Sequence, residues 1–221
     1  SWLGVINYYK NFFYSLDKYK KNLTPVIITD NKELIKQDNF FKKYEIHQTN
    51  LVNKKKKLLK IFQKFCIIAL GKNFLLINFL KKKNIHSLSH DYPLGYFSSK
   101  PSFSWFPDFQ EIHLPHNFSF FDRFFRKLNV IISGIHSTKI ILTSKSAQND
   151  LKTISLRAYK KSKVIRQNDL ISFKTKNTSL KQLKKKYNLK DYFIICDQFR
   201  KHKNHIVVLK ALNYLKSKKK N

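Results

Sequence analysis

An α/β fold with a mostly parallel sheet, covered by helices on both faces, is predicted for this chain of 221 residues. Short apolar runs such as Thr24–Thr29 (TPVIIT) and Thr138–Thr143 (TKIILT) alternate with stretches of helical period. That alternation is the pattern of parallel strands joined by crossover helices. A hydrophobic share of 42% suffices for a core. The polar stretch Lys174–Ser179 holds no long apolar residue and reads as a linker, ending one domain (1–174) and opening a second (175–221).

From the start, Ser1–Asn22 reads as an amphipathic helix, with Tyr8, Phe12, Phe13, Leu16 and Tyr19 at helical spacing. Gly4 before its start is expected to allow a tight turn or close ligand approach. Thr24–Thr29 reads as a strand, Asn31–Phe40 as a short helix and Tyr44–Asn50 as a second strand. Lys54–Leu70 is helical, with Gly71 as its C-terminal cap. Phe74–Lys83 is a further helix and Ile85–Ser89 a strand. His90–Pro115 reads as an irregular centre holding four of the five prolines, together with Trp105, Asp108, Glu111 and His113. A long loop of this kind is where a binding site sits on an α/β scaffold.

Ser119 with Asp122 three residues on resembles a capping box. The helix it opens is expected to turn Phe121, Phe124, Phe125, Leu128, Ile131 and Ile132 toward the core. Thr138–Thr143 is a strand, and Ser144 or Ser146 caps the next short helix. Lys163–Gln167 is a strand and Leu180–Tyr187 a basic helix. Tyr192–Cys196 (YFIIC) reads as a buried strand. The loop after it carries Gln198, Arg200, Lys201, His202, Lys203, Asn204 and His205, and a helix follows through Leu215. A strand, a basic loop and a helix N-terminus suit an anion, because terminal N–H groups and the helix dipole both favour negative charge. The competing reading is a solvated loop on a lysine-rich surface.

The formal charge is +32. Arginine occurs only at 123, 126, 157, 166 and 200, so 40 of the 45 basic residues are lysine, spread along the chain. Sequence-reading nucleic-acid surfaces lean on arginine. With abundant Asn, Ile, Phe and Tyr, four Ala, four Gly and no Met, the composition is that of an A/T-biased genome. No specific nucleic-acid partner is expected, and the aromatics fall at core spacing; the positive surface favours anionic partners, including nucleotide sugars and acidic lipids. Cys66 and Cys196 sit in apolar runs and read as buried free thiols. No stretch qualifies as a spanning helix, since Lys60, Lys64 and Lys72 interrupt the nearest, Leu58–Leu80. The chain opens at Ser1 in mid-motif and is expected to be a fragment; a cytoplasmic location is expected, with peripheral contact to an anionic membrane.

No G-x-G-x-x-G, Walker loop or G-x-S-x-G elbow occurs in the sequence. His202 and His205, three apart at a helix start, are better read as solvated than as metal ligands. Four segments carry a resemblance: SWLGVINYYKN, SFSWFPDFQEIHLP, TKIILTSKSAQNDL and QFRKHKNHIVVLKAL. In this order the chain resembles the retaining glycosyltransferases of GT-B type, of the glycosyltransferase 4 (group 1) family. The last segment is the most specific. The resemblance implies two Rossmann-like domains, an N-terminal acceptor domain and a C-terminal domain binding a nucleotide-sugar donor. It further implies transfer to a glycan or lipid-linked acceptor in cell-envelope polysaccharide synthesis, with no metal and no cofactor beyond the nucleotide-sugar co-substrate.

By that resemblance Lys203 and Gln198 take the donor-phosphate positions, Arg200 stands where tryptophan is usual, and Gly4 and Asn7 match the opening loop. Val5 replaces the second glycine of that loop. Asp108 and His113 match the central segment as catalytic residues, the histidine facing the sugar. The family's Glu-x7-Glu segment would lie beyond residue 221, so the chain alone is expected to be inactive. The alternatives are a non-catalytic member of the family and a basic nucleic-acid-binding protein.

Overall fold

The structure, a computed structural model, describes residues 3–19, 22–53, 55–166, 179–189, 194–195, 199 and 203–218. The chain divides into two units, Ser1–Ser172 and Phe173–Asn221.

The first unit is a mixed α/β body of Rossmann-like character with two all-parallel sheets. Helix α1 (Leu3–Tyr19) leads to β1 (Val26–Thr29), α2 (Lys32–Lys36) and β2 (Glu45–Gln48), and β1 pairs with β2. After a 3-10 turn at Asn50–Val52 come α3 (Lys57–Leu70), α4 (Phe74–Lys82), β3 (Leu88–Ser89) and β4 (Ser102–Phe106). Then follow α5 (Gln110–His113), a 3-10 turn at Pro115–Asn117, α6 (Phe120–His136), β5 (Lys139–Leu142), α7 (Lys145–Ile154), α8 (Leu156–Lys161) and β6 (Ser162–Val164). The second sheet runs in sequential order, β3-β4-β5-β6.

Local chemistry fixes most boundaries. Asn31, Asn73, Ser144 and Ser155 cap α2, α4, α7 and α8 by accepting from the N–H three residues on, each satisfying one orphan donor. Ser119 caps α6 in the same way, but its hydroxyl donates to the Asp122 carboxylate, so the reciprocal half of a capping box is absent. Gly71 ends α3 in the left-handed region at φ 66°. Gly95, at φ 110°, faces the Gly71 carbonyl so closely that a Cβ would lie 2.2 Å from the oxygen. Two cores result. Phe109, Val130, Ile140, Leu142, Ala147, Leu151 and Ala158 fill one, and Leu76, Ile77, Leu80, Leu88 and Leu94 the other.

Several expectations need correction. Ser102–Phe106 is no loop but an inner strand of the four-stranded sheet. Its buried positions are Ser102 and Ser104, and Ser104 Oγ hydrogen-bonds Ser137 Oγ at 2.7 Å, so the strand hides hydroxyls where a strand signal needs apolar groups. On α6, Phe121, Phe124, Phe125 and Ile131 are exposed, and the helix packs through Val130, Ile132, Ser133 and Gly134. Gly134 is where α8 approaches, with Ala158 3.0 Å from a Cβ placed there. The strand expected at 163–167 is Ser162–Val164, preceded by the unexpected α8.

The second unit contributes α9 (Leu180–Lys186), opened by a full capping box between Ser179 and Gln182, and α10 (His205–Lys218). The expected strand at Tyr192–Cys196 lies mostly outside the described residues. Its two described members, Ile194 and Ile195, are exposed and in no strand. The apolar residues of α10 are exposed within this chain.

Candidate functional site at the carboxyl edge of the four-stranded sheet

In parallel α/β sheets, ligands gather at the carboxyl ends of the strands. At that edge β3 runs into His90 and β4 into Pro107 and Asp108. The N-terminal half of α1 closes over it. His90 turns out of β3 at φ 66° while its N–H donates to the Phe103 carbonyl at 2.9 Å. Its ring is held at both nitrogens, Nε2 2.8 Å from Tyr8 Oη and Nδ1 2.7 Å from Ser89 Oγ. A neutral imidazole has one donor and one acceptor, and both hydroxyls can play either part. Burial drops the His90 pKa to about 4. Burial, and secondarily Tyr9, holds the Tyr8 phenol well above its usual value. The pair is therefore uncharged at neutral pH.

Around this pair stand flat aromatic faces. The Tyr8 ring stacks on Trp105 at 4.6 Å, Phe12 lies 4.9 Å from His90 and Tyr9 5.5 Å from it. Tyr9 is raised to about 12 by burial and then by the Asp91 charge. The Trp105 Nε1 is buried with no hydrogen-bond partner among the described residues. The result is an uncharged nest of rings packed on one another, with the Asp91 carboxylate beside Tyr9.

The central segment supplies the polar part of the edge. Phe109 is buried and anchors α5, which carries His113 at its last position. His113 Nε2 lies 3.0 Å from Asp150 Oδ2 on α7; the ring is largely exposed and the carboxylate mostly covered. A carboxylate at Nε2 fixes the tautomer that leaves Nδ1 able to accept a proton. Asp108 accepts from Gln110 Nε2 at 3.1 Å and is exposed. Glu111 is buried and paired with Arg126 at 3.4 Å, which makes it a structural carboxylate. Thr143 Oγ1 donates to the Pro107 carbonyl at 2.7 Å and ties the ends of β4 and β5 together.

Two surface hollows lie elsewhere. One of about 540 Å³ is lined by Lys32, Lys42, Tyr44 and His47. The other, about 380 Å³, is lined by Lys100, His136, Thr138 and Lys161. In the second, Lys161 donates to the Ile135 and Ser137 carbonyls, closing the C-terminus of α6. Among the described residues, no group of three or more His, Cys, Asp or Glu could hold a metal.

Gly4 does not form a loop. It lies in the first turn of α1, and a Cβ there would meet nothing within 4 Å. Asn7 follows on the same helix, half-buried, one residue before Tyr8. Lys203 stands two residues ahead of α10, where Asn204 at φ 51° turns the chain into the helix. Gln198 and Arg200 lie outside the described residues, as does Cys196, whereas Cys66 is buried and free. The structure thus brings Asp108 and His113 to the edge that also carries His90 and Trp105. Sequence reasoning missed Tyr8 and His90 as partners. Their only signal was the GVINYY segment, because 82 residues separate the two side chains. Comparison with known proteins finds no matching family model, no matching curated protein and no matching solved structure.

Proposed function

We propose that the chain belongs to a glycosyltransferase of GT-B type, glycosyltransferase 4 (group 1) family. In this reading it transfers a sugar from a nucleotide-sugar donor to a glycan or lipid-linked acceptor during cell-envelope polysaccharide synthesis, at the cytoplasmic face of a membrane. The observation that carries the reading is a convergence. Tyr8 and Tyr9 of the opening segment pack on Trp105 of the central segment, and His113 of that same segment follows β4 at the same edge. Two segments singled out separately by resemblance thus meet where a parallel sheet binds ligands.

The chemistry asks for what these residues offer. Sugar transfer builds positive charge on the ring and negative charge on the departing diphosphate, and preorganised cations and helix N-terminal amides stabilise the latter. Lys203, ahead of α10, is assigned that role, with Gln198 and Arg200 beside it in sequence. The ring nest takes the acceptor, and Asp150 holds the ring of His113, which is assigned to face the sugar. A non-catalytic relative is the second reading, favoured by the helical placement of Gly4 and Val5, which removes the opening loop.

The test uses the complete gene product and a panel of uridine, guanosine and thymidine diphosphates and their sugars. At a hundredfold excess over Kd, a true ligand stabilises the fold by about 2.7 kcal/mol and raises the thermal midpoint. A shift with at least one nucleoside diphosphate, followed by its release from the matching sugar, is expected. No shift with any member at millimolar concentration overturns the proposal.

A further inference from the structure

Helix α3 carries apolar residues on its outer face as well as its inner one. Gln63, Cys66 and Ile67 face inward, while Leu58, Ile61, Phe62, Phe65 and Ile68 face out and are between 46% and 84% exposed. At 100° per residue these five fall within one continuous arc, bordered on one side by Lys57, Lys60 and Lys64. The helix contains no acidic residue. Lys64 Nζ reaches Asn129 Oδ1 of α6 at 3.4 Å, and α6 exposes Phe120, Phe121, Phe124 and Phe125 beside Arg123, Arg126 and Lys127. A helix with an outward apolar face must meet something apolar.

We propose that the outward face of α3, helped by the phenylalanines of α6, docks on an anionic lipid surface. Charge complementarity selects this occupant. A second copy would bring two chains of formal charge +32 together, cation rim against cation rim. A negative leaflet attracts that rim, while Leu58, Ile61, Phe65 and Ile68 enter the headgroup–acyl boundary. A nucleic acid would meet the same cations and could stack on Phe62 and Phe65, but it would leave the aliphatic Leu58, Ile61 and Ile68 of the same face in water, whereas a lipid surface buries all five. The helix lies on the surface and does not cross it: 14 residues span about 21 Å, against about 30 Å of hydrocarbon. Helix α4, bent from α3 by 101°, spends Leu76, Ile77 and Leu80 on the core. This docking is independent of sugar transfer.

The experiment is co-sedimentation of the chain with vesicles of phosphatidylglycerol and phosphatidylcholine, against phosphatidylcholine alone. The double variant Ile61→Gln/Phe65→Gln leaves the net charge unchanged and alters only exposed positions, so its circular dichroism and thermal midpoint should match the parent. Binding to the anionic vesicles is expected to weaken by roughly tenfold or more in this variant, and by roughly fivefold for each of Lys57→Gln and Lys60→Gln. Equal vesicle binding by parent and double variant overturns the proposal, as does failure of the parent to bind anionic vesicles. If the double variant instead dissolves a dimer, or weakens binding of a single-stranded oligonucleotide, with vesicle binding unchanged, that too overturns it.

Discussion

His90 should make the fold acid-labile in a way that can be isolated. Its imidazole is buried against Tyr8, Phe12 and Trp105, and burial lowers its pKa from the ordinary 6.5 to about 4. Between those values the unfolded chain binds a proton that the folded chain does not. The stability this represents is fully present above about pH 6.5 and is lost as the pH falls toward 4. At about 1.36 kcal/mol per pH unit, the whole interval is worth up to about 3 kcal/mol. The perturbation is His90→Asn, since asparagine tolerates a φ of 66° and does not titrate. Urea unfolding followed by tryptophan fluorescence at pH 7, 5.5 and 4.5 reads the effect. The parent should lose about 2.5 kcal/mol more than the variant across this range, whatever the variant's stability at pH 7. Parallel pH dependence in the two proteins would refute the assignment of a buried neutral imidazole. Tyr8→Phe is the companion change. It removes the 2.8 Å hydrogen bond while keeping the stack on Trp105, and should cost about 1–3 kcal/mol at neutral pH.

Other changes test the frame and the proposed chemistry. Gly95→Ala forces a Cβ to within 2.2 Å of the Gly71 oxygen at a positive φ, and should cost more than about 2 kcal/mol by thermal or urea unfolding. Ser144→Ala removes the α7 cap and should cost about 1 kcal/mol. In the complete gene product, Lys203→Ala should weaken nucleoside diphosphate binding by about tenfold or more, read by titration calorimetry; unchanged affinity would remove Lys203 from the site.

Much of the fold was legible because β1 and β5 are apolar runs and the Ser144 and Gly71 caps are chemically explicit. Strand β4 was hidden by its own composition. Pro101 and Pro107 flank it, and its buried positions are serines, with Ser104 Oγ bonded to Ser137 Oγ and Ser102 Oγ accepting from the Leu94 N–H. Periodicity on α6 correctly marked an apolar face but not whether a neighbour covers it, and Phe121, Phe124 and Phe125 are left outside. The same limit defeats the argument that core spacing excludes exposed aromatics. For the candidate site, the polar cluster around His113 was visible as residue types in a proline-marked segment. The Asp150 partner and the Tyr8–His90 pair were not, because contacts between distant segments depend on how the chain folds back.

Nucleoside diphosphate release by the complete gene product, with each candidate donor and a cell-envelope lipid extract as acceptor, tests the proposed activity most directly. Release is predicted for at least one donor, reduced about a hundredfold or more in His113→Ala while nucleoside diphosphate binding stays intact. Release that His113→Ala leaves unchanged would contradict the site, and no release with any donor would contradict sugar transfer itself.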